Sequence, residues 1–477
     1  MGLDITWKDA SPGYEEQRVG RIFNKHRPDR FPAGILKASS IEDVVAGVAL
    51  AKQKGLKLTV RSGGHSWPAW SLRDGALLID LENLRELSLD DMTNIVTVSP
   101  SSTGRMINVD YLRERGRCFP GGHCPSVAVG GFLLQGGQGW NCRGWKWACE
   151  YIESMDVVVA RHGQVEVVTA SETVNSDLFW AARGAGLGFF GVVVRFRLKT
   201  IPLPKIMAKS ILIFDASEYQ ETFEWFQQAC LSFDFDVELV YLGLSRFRCL
   251  PESKGKPEDP LLVISATVWK EDQAEAEKAL AVLQQCPKLE KALLNVPYAP
   301  TSFAEEYDLQ ERDNPPECRF FCNNAWIRGT PKEVADSLRR GFVELPTKDS
   351  YTLYYSQGPL RKLPDMAFDI QTEHYFATYL MSTDTTGGED QLCRDWLAET
   401  FAAIDSKRGG PGGSPGQYLG DSDLKTRPAK FMSDEHWTKW KRIREKWDPE
   451  RLFFGYGVHE KGEENRHLWE LESRAKL

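Results

Sequence analysis

Two glycine-rich loops constrain this chain more than any other feature in it. The first reads Arg61-Ser62-Gly63-Gly64-His65-Ser66. The second reads Pro120-Gly121-Gly122-His123-Cys124-Pro125 and runs on through Gly130-Gly131 and Gly136-Gly137-Gln138-Gly139. Each follows a short stretch read as a strand, residues 56–60 and 117–119. Glycines this dense let backbone N–H groups close on an anion or a flat ring system where any Cβ would collide. A lone glycine loop says little. Two within one domain's length, one carrying a histidine and the other a cysteine, imply a fold that gathers strand ends around a ligand.

The surrounding pattern agrees. Residues 39–54 put Ile41, Val44, Val45, Val48 and Ala49 on one helical face, with Ser40 as N-cap, Asp43 three residues on, and Gly55 as terminator. The helix leads into the strand that delivers the first loop. Strands follow at 77–80 and 95–98, a helix over 101–116, and a hairpin of 152–160 with 165–169. A helix–glycine–strand unit over 177–196 closes this part, and Ile201-Pro202-Leu203-Pro204 reads as a linker. Beyond it, strands at 237–244, 261–269, 351–356 and 372–380 alternate with helices at 272–284, 331–341 and 389–403. That is the pattern of an antiparallel sheet covered by helices on one side. Residues 408–416 are a Gly/Pro loop, and a tail helix spans 434–447. A chain of 477 residues exceeds one ordinary core. The expected division is 1–204, 205–425 and a C-terminal segment 426–477.

Composition removes several function classes. Net charge is −8, so no chain-wide basic field exists to hold a phosphate backbone, and nucleic acid is not expected as a partner. No apolar run approaches the roughly 18 residues of a membrane span. Residues 1–10 carry Asp4, Lys8 and Asp9 where a secretory leader needs an apolar core, so an intracellular protein is expected, or a secreted one whose leader has been trimmed. Met1-Gly2-Leu3-Asp4-Ile5-Thr6 fits the short myristoylation pattern and is read as a chance match. Ten cysteines include no C-x-x-C, and Cys318 and Cys322 fall on an expected strand, so free thiols are expected and no metal site. A monomer is expected.

At the two loops the sequence resembles a known family. With Asp177-Leu178-Phe179-Trp180-Ala181-Ala182-Arg183-Gly184 and Phe190-Gly191-Val192-Val193 in the same order, it is similar to the berberine-bridge-enzyme-like branch of the vanillyl-alcohol oxidase (PCMH-type) flavoproteins, densely over residues 32–201. The resemblance implies a two-domain α+β PCMH-type fold binding FAD. The first loop would hold the pyrophosphate, His65 would bond the flavin 8α-methyl, and Cys124 would bond ring carbon C6. Arg61, Ser62, Gly63, Gly64, Ser66, Gly121, Gly122, Val129, Gly130, Gly131, Gly137, Gly139 and Val192 would complete the cofactor site. Val129 would act as an open gate for dioxygen, with Ala128 replacing a family glycine. The tail, ending in Asp448-Pro449-Glu450-Arg451-Leu452-Phe453, would return to the flavin domain. Taken alone, Gly63-Gly64 could be a plain turn, His65 a hydrogen-bonded loop histidine, and Cys124 a buried filler. The flanking residues favour the flavin readings. His123, at a position usually small in the family, has no assigned role.

Substrate handling is less legible. The family's Y-x-N-Y becomes Tyr418-Leu419-Gly420-Asp421, keeping the first Tyr and placing Asp421 where a Tyr base would stand. Tyr418 remains a candidate catalytic residue. Alternation along 372–380 puts Glu373, Tyr375 and Tyr379 on one face, and Glu373 and Tyr375 toward the flavin as replacement candidates. A solvated Glu and a structural Tyr are the alternative. The expected activity is oxidation of an alcohol or amine C–H of a small-molecule or secondary metabolite, with dioxygen as acceptor and hydrogen peroxide formed. A carbohydrate oxidase is the alternative within that class, and a catalytically idle flavin-carrying binding protein the alternative outside it.

Overall fold

The computed structural model describes residues 2–456. Its first part is built on two sheets. Ile5–Trp7, Gly34–Lys37, Leu77–Asp80 and Leu58–Arg61 form one, whose last three strands run parallel. The helix Ile41–Lys54 covers it, held by a reciprocal cap between Ser40 and Asp43 and ended by Gly55 at φ 66°. Its apolar stripe, Val44, Val48 and Ala51, is fully buried beside Leu36 and Ile79. The second sheet is antiparallel, in the order Leu87–Asp90, Ile95–Val98, Val192–Lys199, Ile152–Arg161, Gln164–Ser171.

The helix expected over 101–116 begins at Gly104 and tightens over Arg113–Arg115 before Gly116. The preceding residues spend their backbone groups on the second glycine loop instead. Gly104 N–H donates to Val127, while Val129 and Gly130 donate to the carbonyls of Ser102 and Pro100. The linker is also structured: Ile201–Pro202 pairs antiparallel with Arg117–Cys118, directly beneath that loop.

The later part is one seven-stranded antiparallel sheet, in the order Leu294–Pro300, Ile206–Asp215, Pro260–Lys270, Val237–Ser245, Tyr351–Ser356, His374–Ser382, Arg319–Ile327. Helices Tyr219–Ala229, Gln273–Leu280, Pro331–Val343 and Gly388–Asp405 pack on one face, around Phe223, Leu338, Phe376 and Phe401. The opposite face presents Tyr351, Leu353, Tyr375 and Ala377 to the core of the first part. The strand Ile206–Asp215 and the edge strand Leu294–Pro300 carry no clear sequence signal. Their apolar and polar residues are set by neighbours on both sides rather than by a clean alternation.

The tail helix Asp434–Trp447 lies against Ser176–Ala182, and the residues after it join the flavin-loop sheet. Leu58 N–H donates to the Leu452 carbonyl, and Tyr456 OH donates to Ala185 at 2.6 Å. Asp448 accepts from the N–H groups of Leu452 and Phe453, which makes the Asp-Pro turn. Among the described residues no helix is long and apolar enough to cross a membrane.

Candidate active site

One large cleft, about 290 Å³, lies between the two parts. It runs from Leu58, Phe453 and Phe454 past Ser62–Ser66 to Trp67, Tyr379, Tyr418 and Asp421. The first glycine loop leaves the end of a parallel strand and forms its floor, where open α/β sheets place ligands. Gly64 sits at φ 75°, and a Cβ there would run into the Arg21 carbonyl. Gly130 lies so close to Ser62 that a Cβ would occupy the Ser62 hydroxyl position. The two loops therefore interlock through glycines.

His65 and Cys124 both line the cleft. The His65 ring stacks on Phe23 at 4.1 Å, and its Nε2 is buried without a hydrogen-bond partner. Burial pushes its imidazolium down to about 4, so the ring is neutral at neutral pH. The Cys124 thiol is pushed up to about 12 by burial, with Asp421 and Asp313 adding to the effect. Gln138 Nε2, also on the wall, is a second buried polar atom without a partner. Orphaned polar atoms of this kind are rare in a finished fold, and they mark where a polar ligand belongs. A cleft lined by both glycine loops, with a neutral imidazole, a thiol and two unpaired buried polar atoms on its wall, fits FAD.

Not all of the expected cofactor residues face the cleft in the same way. Arg61 lines it, but its guanidinium is 1% exposed, pairs with Asp80 at 2.7 Å and donates to the carbonyls of Gln17 and Arg18. Its charge is neutralised in place, and what it contributes is the shape of the loop. Ser62, Gly63, Gly64, Ser66, Gly122, Gly130 and Gly131 line the cleft, whereas Gly121, Val129, Gly137, Gly139 and Val192 stand behind its wall. Val129 is 1% exposed, with Ala128 and Gly130 on the surface it was expected to gate. For Val192 the lining residues are its neighbours Gly191 and Val193, because the strand turns its own side chain into the core.

The expected bases are corrected in the same way. Glu373 lies one residue before the strand His374–Ser382, exposed against Gly358, and reaches no part of the cleft. The strand starts late because Thr372 Oγ1 donates to the carbonyls of Ile327 and His374. Tyr375 is fully buried and donates its hydroxyl to Asp421 at 3.0 Å. Tyr418 lines the cleft and accepts N–H bonds from Gly137 and Gln138 at 3.1 and 3.2 Å. Burial holds its phenol well above the usual range, so it is a neutral donor and not a phenolate base.

Asp421, whose presence reads in sequence as the loss of a tyrosine, lies buried on the wall of this cleft. Its carboxyl accepts from Trp67 Nε1 at 3.2 Å and from Tyr375 OH at 3.0 Å. Burial raises its pKa above the ordinary value of 3.8, although these donors, the nearby Tyr379 and His123 pull the other way. A carboxylate held by donors yet poised upward, on the wall of a cofactor-sized cleft, is suited to accepting a proton. His123 also faces the cleft, and its Nε2 meets both carboxylate oxygens of Glu238 at 3.0 and 3.1 Å.

Comparison with known proteins agrees with this geometry. Residues 32–169 match the model of an FAD binding domain. The chain is 36% identical to FAD-linked oxidoreductase janO of Penicillium janthinellum over 458 residues, covering 95% of this chain and 97% of that protein. The chain belongs to the FAD-linked oxidoreductases. It is also 42% identical to a xylooligosaccharide oxidase of Thermothelomyces thermophilus, over 201 residues, 42% of this chain and 37% of that one. Its fold is shared with Physcomitrella patens BBE-like 1, at a TM-score of 0.78 and 18% identity, over 95% of this chain and 96% of the other.

Proposed function

We propose that this FAD-linked oxidoreductase carries FAD attached at both His65 and Cys124, and oxidises an alcohol or amine C–H of a small-molecule metabolite with Asp421 as proton acceptor and dioxygen as electron acceptor. The bound flavin supplies the acceptor for the hydride. The chain's own residues do the rest. Asp421 takes the proton from the substrate O–H or N–H. Trp67 and Tyr375 hold the carboxylate in one orientation and stabilise its charged form. Tyr418 offers its hydroxyl proton from a position fixed by two backbone N–H groups.

The observation that carries the reading is the buried carboxylate of Asp421, held by Trp67 and Tyr375, in the same cleft as His65 and Cys124. A binding protein with an idle flavin has no use for such a group.

Attachment is tested first. Acid-precipitated protein should give a yellow pellet, and intact mass should exceed the chain by one FAD. His65→Ala or Cys124→Ala should each leave one link and an altered absorption spectrum, and the double variant should release the flavin on denaturation. A colourless wild-type pellet sinks the reading.

A further inference from the structure

His123 is an ionisable group on the cleft wall that the reaction above leaves without a task. It precedes Cys124 on the second glycine loop, and both residues line the cleft. Its ring packs on Trp140 at 4.3 Å and lies 6.0 Å from Tyr355. Nε2 is committed to Glu238, a residue 8% exposed on the strand Val237–Ser245 that also takes the Asn141 N–H at 2.6 Å. A carboxylate in that place keeps the proton on Nε2 and leaves the lone pair on Nδ1. The result is a carboxylate-oriented imidazole on the residue that precedes the thiol, both on the wall of one cleft.

We propose that His123, oriented by Glu238, is the base that takes the thiol proton of Cys124 when that sulfur bonds the flavin ring. The inference rests on the double attachment proposed above. The S–H bond breaks, its proton passes to Nδ1, and the sulfur electron pair forms the S–C bond. Two electrons enter the ring, and the hydrogen at that carbon leaves as a proton. Dioxygen then takes both electrons and two protons to give hydrogen peroxide, and the ring returns to its oxidised form. A base is needed because the thiolate is the nucleophile. With the thiol pushed up to about 12, only about one molecule in 10⁵ is ionised at neutral pH. The other titratable groups around Cys124 are Asp421, Asp313, Tyr351, Tyr355, Tyr307 and Cys322. Burial holds the four phenols and thiols Tyr351, Tyr355, Tyr307 and Cys322 in their neutral forms, which leaves Asp421 and Asp313 as rival acceptors.

The test needs no substrate. Apoprotein from a flavin-starved host is mixed with FAD, quenched in acid at intervals, and digested to follow the His65 and Cys124 peptides separately. Wild type should modify both. In His123→Ala the His65 peptide should still be modified, which certifies folding and FAD binding, while the Cys124 link forms about 10²-fold more slowly or worse. The residual rate in that variant should climb about tenfold per pH unit as thiolate forms, and added imidazole should restore it. His123→Gln should behave like His123→Ala, and Glu238→Gln should be slowed in the same direction. Cys124 modification at the wild-type rate in both His123 variants overturns the inference, as does slowing that neither pH nor imidazole relieves. Slowing in Asp421→Asn or Asp313→Asn in place of the His123 variants also overturns it. A wild type with no flavin on Cys124 instead defeats the double attachment itself.

Discussion

Asp421 shows how a residue's neighbours set its chemistry. A carboxylate in water is too weak a base to matter, and burial among apolar groups would neutralise it outright. Two donors aimed at it, Trp67 and Tyr375, keep ionisation within reach while burial holds its pKa above 3.8. Flavin reduction should therefore rise with pH through a midpoint above the ordinary Asp range. Asp421→Asn should lower the reduction rate by about 10²-fold or more and flatten that profile, as read by anaerobic stopped-flow. Glu373→Gln, by contrast, should reduce at the wild-type rate. Stability follows with a definite sign. The folded pKa exceeds the unfolded one, so Asp421 contributes most where both states are protonated. That contribution is lost as pH rises through the folded value. Asp421→Asn should be less sensitive to pH over that window, as chemical denaturation at several pH values would show.

Among the elements, the two glycine loops act as a matched pair. The first is shaped by buried Arg61, Arg21 and Asp80, with Arg21 also donating to the Ser62 carbonyl at 2.6 Å. The second is hydrogen-bonded to residues 100–104. Gly64 is where this arrangement tolerates no side chain, for both its φ and the Arg21 carbonyl forbid one. Gly64→Ala should cost about 3 kcal/mol or more and displace the loop. The expected readouts are a lowered Tm and loss of bound flavin absorbance. This part was legible in sequence because glycine spacing and a following His or Cys are local signals. The role of Arg61 was not, because nothing local says that Asp80 will neutralise it.

At the scale of the whole molecule, the cleft exists only because the two parts are locked together. Asn24 is one such lock. Its amide donates to the Trp67 and Phe320 carbonyls at 2.8 and 2.9 Å, and its oxygen accepts the Phe320 N–H. Trp67 belongs to the flavin loop and Phe320 to the seven-stranded sheet. Asn24→Ala leaves three buried backbone groups unpaired and should cost about 2–4 kcal/mol, measured by denaturant unfolding. Because Trp67 also holds Asp421, the variant should slow flavin reduction as well.

By itself the sequence determined the FAD-binding half and the antiparallel sheet with helices on one side, because periodicity, caps and glycine spacing act over a few residues. His65 and Cys124 as attachment points are what the family resemblance of the two loops implies. Tertiary structure alone decided which groups do chemistry. Strand alternation put Glu373 and Tyr375 on the correct face, yet the late start of the strand leaves Glu373 outside and turns Tyr375 into a donor to Asp421. Asp421 meets Trp67 across 354 positions of chain, and His123 meets Glu238 across 115. A side chain's charge state depends on what surrounds it in space, and such distant neighbours leave no local pattern to read.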